Sequence, residues 1–128
     1  MKTSKFYVLF LSLQNKDKKR FLDFLLSPFH NHSPRLVKLG EYFVKHTKVI
    51  KEDAYAYVYG AKKKYSDVLM RRLMNGLLVE LKKFISITQF LDDKIEFNTF
   101  LLKGINEMNQ EKMQNEVLLK QTKLIVGI

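Results

Sequence analysis

Between Arg20 and His46 the chain writes the end of one helix, a fixed elbow and the start of the next. Ser27 precedes Pro28, whose ring disfavours helical geometry at the serine and brings no amide hydrogen, so a helix running up to Leu26 stops there. After Phe29 to His32, the pair Ser33-Pro34 places a hydroxyl acceptor at a cap and a proline at the first helical position, where its missing amide costs nothing. The rest of the chain agrees with a helical fold. Only 2 prolines and 5 glycines punctuate 128 residues, whereas an all-β domain needs turn residues roughly every 8–12 positions.

Patterning predicts where the helices lie. Ser4 caps a helix over about residues 5–13 that is apolar nearly all round and so implies burial on several sides, although its β-rich composition leaves a strand open. Asn15 is the expected cap of a second helix reaching Leu26, with Phe21, Leu22 and Leu25 on one face and Lys16, Lys18 and Lys19 outward. The third helix carries Leu36, Leu39, Gly40 and Phe43 at helical spacing and finishes near Thr47. Glu52-Asp53 open a short fourth helix, which Gly60 ends, and a basic loop follows. Ser66 and Asp67 begin the clearest amphipathic stretch, with Met70, Leu73, Leu77 and Leu81 on one side and Arg71, Arg72, Asn75, Glu80, Lys82 and Lys83 on the other. Asp92-Asp93 cap another helix bearing Phe97, Leu101, Ile105 and Met108. Beyond Glu107 the apolar stripe thins to Met113, Val117, Leu118 and Leu124, the pattern of a helix that projects or packs on another chain. The expected fold is all-α: a compact bundle of five or six helices forming a single domain over 1–110, then a C-terminal helical extension over 111–128.

With 23 Lys and Arg against 13 Asp and Glu, the formal charge is +10 and the pI about 9.7, an imbalance that attracts polyanions such as nucleic acid or acidic lipid surfaces. The absence of cysteine excludes disulfides and thiolate metal sites. Phe6 to Leu13 imitates the apolar part of a signal peptide, but Gln14-Asn15-Lys16-Asp17-Lys18-Lys19 follows instead of small residues. The run is also far shorter than the roughly 20 residues that span a bilayer. The expectation is a cytoplasmic protein with no transmembrane segment.

Residues that carry chemistry elsewhere have plainer roles in this pattern. His30 and His32 flank Asn31, but His46 belongs to another element and no acidic cluster joins them, so no metal site is expected. Glu52-Asp53 and Asp92-Asp93 each stand where a helix starts, which capping and the helix dipole explain. No serine has a nucleophile-elbow context and the glycines form no phosphate-binding pattern, so neither an enzyme nor a cofactor is expected. Tyr55, Tyr57 and Tyr59, followed by Lys62, Lys63, Lys64 and Tyr65, interleave rings with charge as single-strand-binding surfaces do, yet helical spacing turns Tyr55 and Tyr59 inward and Tyr57 elsewhere. Residues 52–59 and 67 onward also read as a helix-turn-helix presenting Arg71, Arg72 and Asn75, residue types suited to guanine and adenine. The connecting turn is longer than the usual three or four residues.

The run Lys19-Arg20-Phe21-Leu22-Asp23-Phe24-Leu25-Leu26-Ser27-Pro28-Phe29-His30-Asn31, continued by Leu39-Gly40-Glu41-Tyr42-Phe43, resembles the opening of a family of uncharacterised, largely helical proteins common in Bacteroidota. Val58-Tyr59-Gly60 sits where that family has a Phe-Pro-Gly-like turn, and Lys64-Tyr65-Ser66-Asp67 with Leu69 to Asn75 looks like its long central helix. The resemblance covers residues 6–110 and departs at His30, where an aromatic is usual, and at Gly60, whose turn lacks the proline. Family members are generally longer, so the resemblance implies an excised N-terminal domain or a short relative, and no activity. The functional expectation is a non-enzymatic helical interaction or scaffold module whose partner is another protein or further domains of a longer chain. Met113, Val117, Leu118 and Leu124 are its candidate partner-helix contacts, with homo-oligomers as one outcome. The alternative is nucleic-acid binding through Lys62, Lys63, Lys64, Arg71, Arg72 and Asn75.

Overall fold

A computed structural model describes residues 4–108 and 111–126 of the chain. Seven α-helices and no strand occur among them: α1 Lys5–Leu11, α2 Asn15–Leu26, α3 Pro34–Lys45, α4 Lys51–Tyr59, α5 Asp67–Asp92, α6 Lys94–Glu107 and α7 Glu111–Val126. The all-α expectation therefore holds, with six helices before residue 110 and a seventh in the C-terminal segment. The helices form two compact units, Met1–Phe84 and Ile85–Ile128. This boundary falls within α5, whereas the sequence placed one at 110/111.

The N-terminal unit is built on local signals that mostly act as expected. The Ser4 hydroxyl accepts from the Tyr7 amide at 3.0 Å and starts α1. That helix buries Phe6 and Phe10 but leaves Val8 and Leu11 exposed, so its all-round apolarity does not mean all-round burial. Gln14, not Asn15, occupies the cap of α2, and no side chain bonds the free amides there. Ser33 caps α3 by accepting from the Leu36 amide at 3.4 Å, ahead of Pro34. Gly60 ends α4 at φ +94°, a backbone conformation costly to any residue with a side chain. Ser66 accepts from the Leu69 amide at 3.3 Å as α5 begins.

Asn31 fixes the elbow between α2 and α3. Its buried amide donates to the Leu25 carbonyl at 2.9 Å and to the Ser33 carbonyl at 3.2 Å, while its own carbonyl oxygen accepts from the Ser33 amide at 3.1 Å. Three backbone groups at the break are thus bonded by one side chain, the Ser33 carbonyl also accepting from the Val37 amide at 3.3 Å as α3 begins. α3 then packs back on α2, so closely that a Cβ at Gly40 would stand 2.5 Å from Leu25 Cδ1. Phe6, Phe10, Phe21 and Phe43 meet behind the elbow with ring centroids 5.0 to 6.5 Å apart, and Phe84 joins Phe21 at 5.6 Å. The sequence also placed Glu80 on the polar face of α5. Its position three residues after Leu77 puts it on the apolar stripe, where it is buried and reaches Lys83 Nζ at 3.2 Å.

In the C-terminal unit Asp93 caps α6 by accepting from the Glu96 amide at 3.1 Å. α7 packs along α6 of its own chain, with Gln121 donating to the Ile95 carbonyl at 3.1 Å and to Thr99 Oγ1 at 2.8 Å. α7 thus has cover within its own chain, and of its candidate contact residues Val117 is buried, as is Ile105 of α6. Met113 and Leu118 remain exposed and Leu124 is half-buried.

Asn31→Asp removes both amide donors and sets a carboxylate against two carbonyls, so it should cost about 1–3 kcal/mol. All six tyrosines lie between residues 7 and 65, so tyrosine fluorescence during urea unfolding reads the N-terminal unit directly. The expected result is a lower midpoint for the variant, with helical content retained before the transition.

Candidate interaction groove on the N-terminal unit

The charge of the chain is not shared between its units. Residues 1–84 carry 18 Lys and Arg against 7 Asp and Glu, a net +11, whereas 85–128 carry 5 against 6, a net −1. The question of a polyanion contact therefore concerns the N-terminal unit.

Of the candidate polyanion contacts, Arg71 and Asn75 line one groove and the others do not. They line a groove of about 500 Å³ with Ser4 and Lys5 from the start of α1, Lys51 from the start of α4, and Tyr65 and Asp67. Phe6, Met70, Met74 and Leu78 complete its lining, Phe6 and Met70 being buried and Met74 and Leu78 half-buried. Arg72, one residue beyond Arg71 and so turned about 100° around the helix, is exposed and outside this lining. Lys62, Lys63 and Lys64 are exposed in the connection 60–66. Lys63 Nζ stands 4.7 Å from the centroid of the Tyr59 ring, which Arg35 Cζ also approaches at 5.0 Å, a cation–π arrangement that holds the loop against α4 and α3. The seven residues from 60 to 66 that join α4 to α5 are more than a helix-turn-helix uses.

Asp67 is the electrostatic hub of the groove. Its carboxylate receives Arg71 Nε at 3.2 Å, Lys51 Nζ at 3.7 Å and the Tyr65 hydroxyl at 3.2 Å. Burial, then the hydrogen bond to Asp67 and the negative charge beside it, push the Tyr65 phenol above its ordinary value, so Tyr65 remains a proton donor throughout the neutral range. The rim thus presents Lys5, Lys51 and Arg71 against one carboxylate that is already engaged.

The remaining candidates sit in ordinary packing. The His30 ring stacks on Phe24 with centroids 4.4 Å apart, and the His46 ring on Tyr42 at 4.2 Å. Among the described residues no group of three or more His, Cys, Asp or Glu converges to hold a metal ion. Tyr55 is a core residue whose ring lies 4.7 Å from that of Tyr59 and 5.1 Å from that of Tyr65. Tyr57 points elsewhere, donating to Glu41 Oε2 at 2.9 Å. Sequence reasoning missed Lys5, Lys51, Tyr65 and Met74 as members of a common site. Only the four-residue steps 67, 71, 75 and 70, 74, 78 on α5 signalled two adjacent rows; nothing local signalled that α1 and α4 would flank them.

No described helix is long and apolar enough to cross a membrane. No family model, curated protein or solved structure matches the chain.

The Tyr55 hydroxyl is buried with no hydrogen-bond partner, a desolvation cost with nothing to offset it. Tyr55→Phe should therefore leave stability unchanged or raise it by up to about 1 kcal/mol, read as an equal or higher urea midpoint. A drop of that size or more would show that the hydroxyl has a partner in solution.

Proposed function

We propose that this chain is a non-enzymatic helical interaction module that contacts other proteins, or further helices of a longer chain, through two chemically different surfaces. One observation carries the reading. The C-terminal unit buries Ile105 and Val117 while Leu91, Leu101, Met108 and Leu118 are exposed, with Phe100 55% and Leu119 66% accessible. Exposed apolar side chains on one pair of packed helices are the kind of surface a contact site would use. The near-neutral charge of that unit adds little repulsion between two copies, and helices packed in pairs associate readily into larger bundles. His30 and His46, by contrast, are occupied in ring stacking, Glu52, Asp53 and Asp93 stand at helix starts, and Asp92 is the last residue of α5, which supports a role without chemistry.

Light scattering over a dilution series tests the self-associating form of this contact. The expected mass lies above 15.2 kDa at high concentration and falls to the monomer value in Leu119→Glu. An unchanged monomer mass in both proteins removes self-association through this surface.

A second reading, nucleic-acid contact through Lys62, Lys63, Lys64, Arg71, Arg72 and Asn75, is favoured by the concentration of all excess charge in residues 1–84. An oligonucleotide titration at two salt concentrations should then show affinity falling steeply with salt, with a shallower slope after the three loop lysines are changed to Gln. Absence of binding at low salt eliminates this reading.

A further inference from the structure

The groove beside α5 has a shape and charge that select a class of partner. Met70, Met74 and Leu78 follow one another at four-residue steps along its floor, and Asp67, Arg71 and Asn75 form a parallel row. From Asp67 to Leu78 this wall is about 16 Å long, about three helical turns at 1.5 Å per residue. The opposite wall is formed by Ser4, Lys5 and Phe6 at the start of α1. Unbranched thioethers in the floor can adjust to the side chains laid on them.

The rim decides the sign of what fits. Lys51 and Arg71 pair with the single carboxylate of Asp67 and Lys5 lines the same groove, leaving an excess of two positive charges beside the half-buried Met74 and Leu78. A phosphate backbone satisfies such a rim but brings nothing to cover the half-buried Met74 and Leu78, and base stacking has no exposed ring in the lining to use: Phe6 is buried and Tyr65 half-buried. An amphipathic helix with leucine-like residues at helical spacing and carboxylates beside them satisfies both parts at once.

We infer that this groove docks an acidic amphipathic helix of a partner protein, about three turns long. The inference rests on the interaction-module reading and names the partner chemistry of its basic surface.

Two synthetic peptides with the same leucine pattern, one flanked by Glu and one by Lys, are titrated into the intact chain by fluorescence anisotropy. The acidic peptide should bind at least tenfold more tightly than the basic one. The double variant Lys51→Glu, Arg71→Glu should abolish that preference. Lys5→Glu, which leaves the Asp67 cluster intact, should weaken the acidic peptide severalfold and keeps the test readable if the double variant loosens the rim. Met74→Gln should weaken it with the urea midpoint unchanged, and Arg72→Glu, outside the lining, should have no effect. Equal affinity for the two peptides, or full affinity in the rim variants, overturns the inference. So does an oligonucleotide that binds where the acidic peptide does not. If the peptide ignores the groove while Leu119→Glu still lowers the mass of the chain, the docking inference falls and the module reading stands.

Discussion

Everything in the N-terminal unit depends on burying phenylalanine rings drawn from α1, α2, α3 and α5. Phe6 meets three of these rings, 5.4 Å from Phe10, 5.0 Å from Phe43 and 6.3 Å from Phe21. A buried aromatic side chain contributes on the order of 2–3 kcal/mol by area alone, and rings in edge or offset contact add to that. A helix of only seven residues, such as α1, has little stability of its own in water. Its position is set by Phe6 and Phe10. Because α1 is pinned there, Ser4 and Lys5 come to rest opposite the first turns of α5, and the groove exists as a by-product of core packing.

Polar groups then act as locks on a fold that burial has already drawn together. Asn31 holds the elbow, and the Tyr42 hydroxyl exchanges hydrogen bonds with both the amide and the carbonyl of Ile50, at 3.3 and 3.4 Å, tying the end of one connection to α3. These bonds are modest singly, but each removes a backbone group that would otherwise be costly to bury. The surface ion pairs around Asp67 are a different matter. All of them are solvent-exposed, so their value lies in setting where charge is presented rather than in stability.

What could be read from the sequence was whatever a few neighbouring residues decide. Ser27-Pro28, Ser33-Pro34, Gly60 and Asp93 ended or started helices where expected because caps and proline sterics act within four residues. Gln14 displaced Asn15 from its cap, a slip of one residue of the kind helix ends commonly show. Tyr42 and Glu80 escaped notice as buried residues because polar tips disguised their places on apolar stripes. The pairing of α7 with α6 was illegible for another reason: a thin apolar stripe reads the same whether its cover is the preceding helix or a foreign one. The groove was hidden most completely, being assembled from residues near positions 5, 51, 65 and 71, with only α5 showing part of it in its spacing.

The uneven placement of charge gives the two halves of this molecule sensitivity to different features of their surroundings. Contacts made by residues 1–84, with their net +11, answer to ionic strength, since added salt shortens the range over which such a field is felt. On the proposed reading, contacts through the exposed leucine and phenylalanine side chains of the second unit would answer instead to temperature, and strengthen as the solution warms from the cold. A cell that altered its salt and its warmth independently would adjust the two kinds of adhesion separately, with one polypeptide serving as two thermodynamic handles.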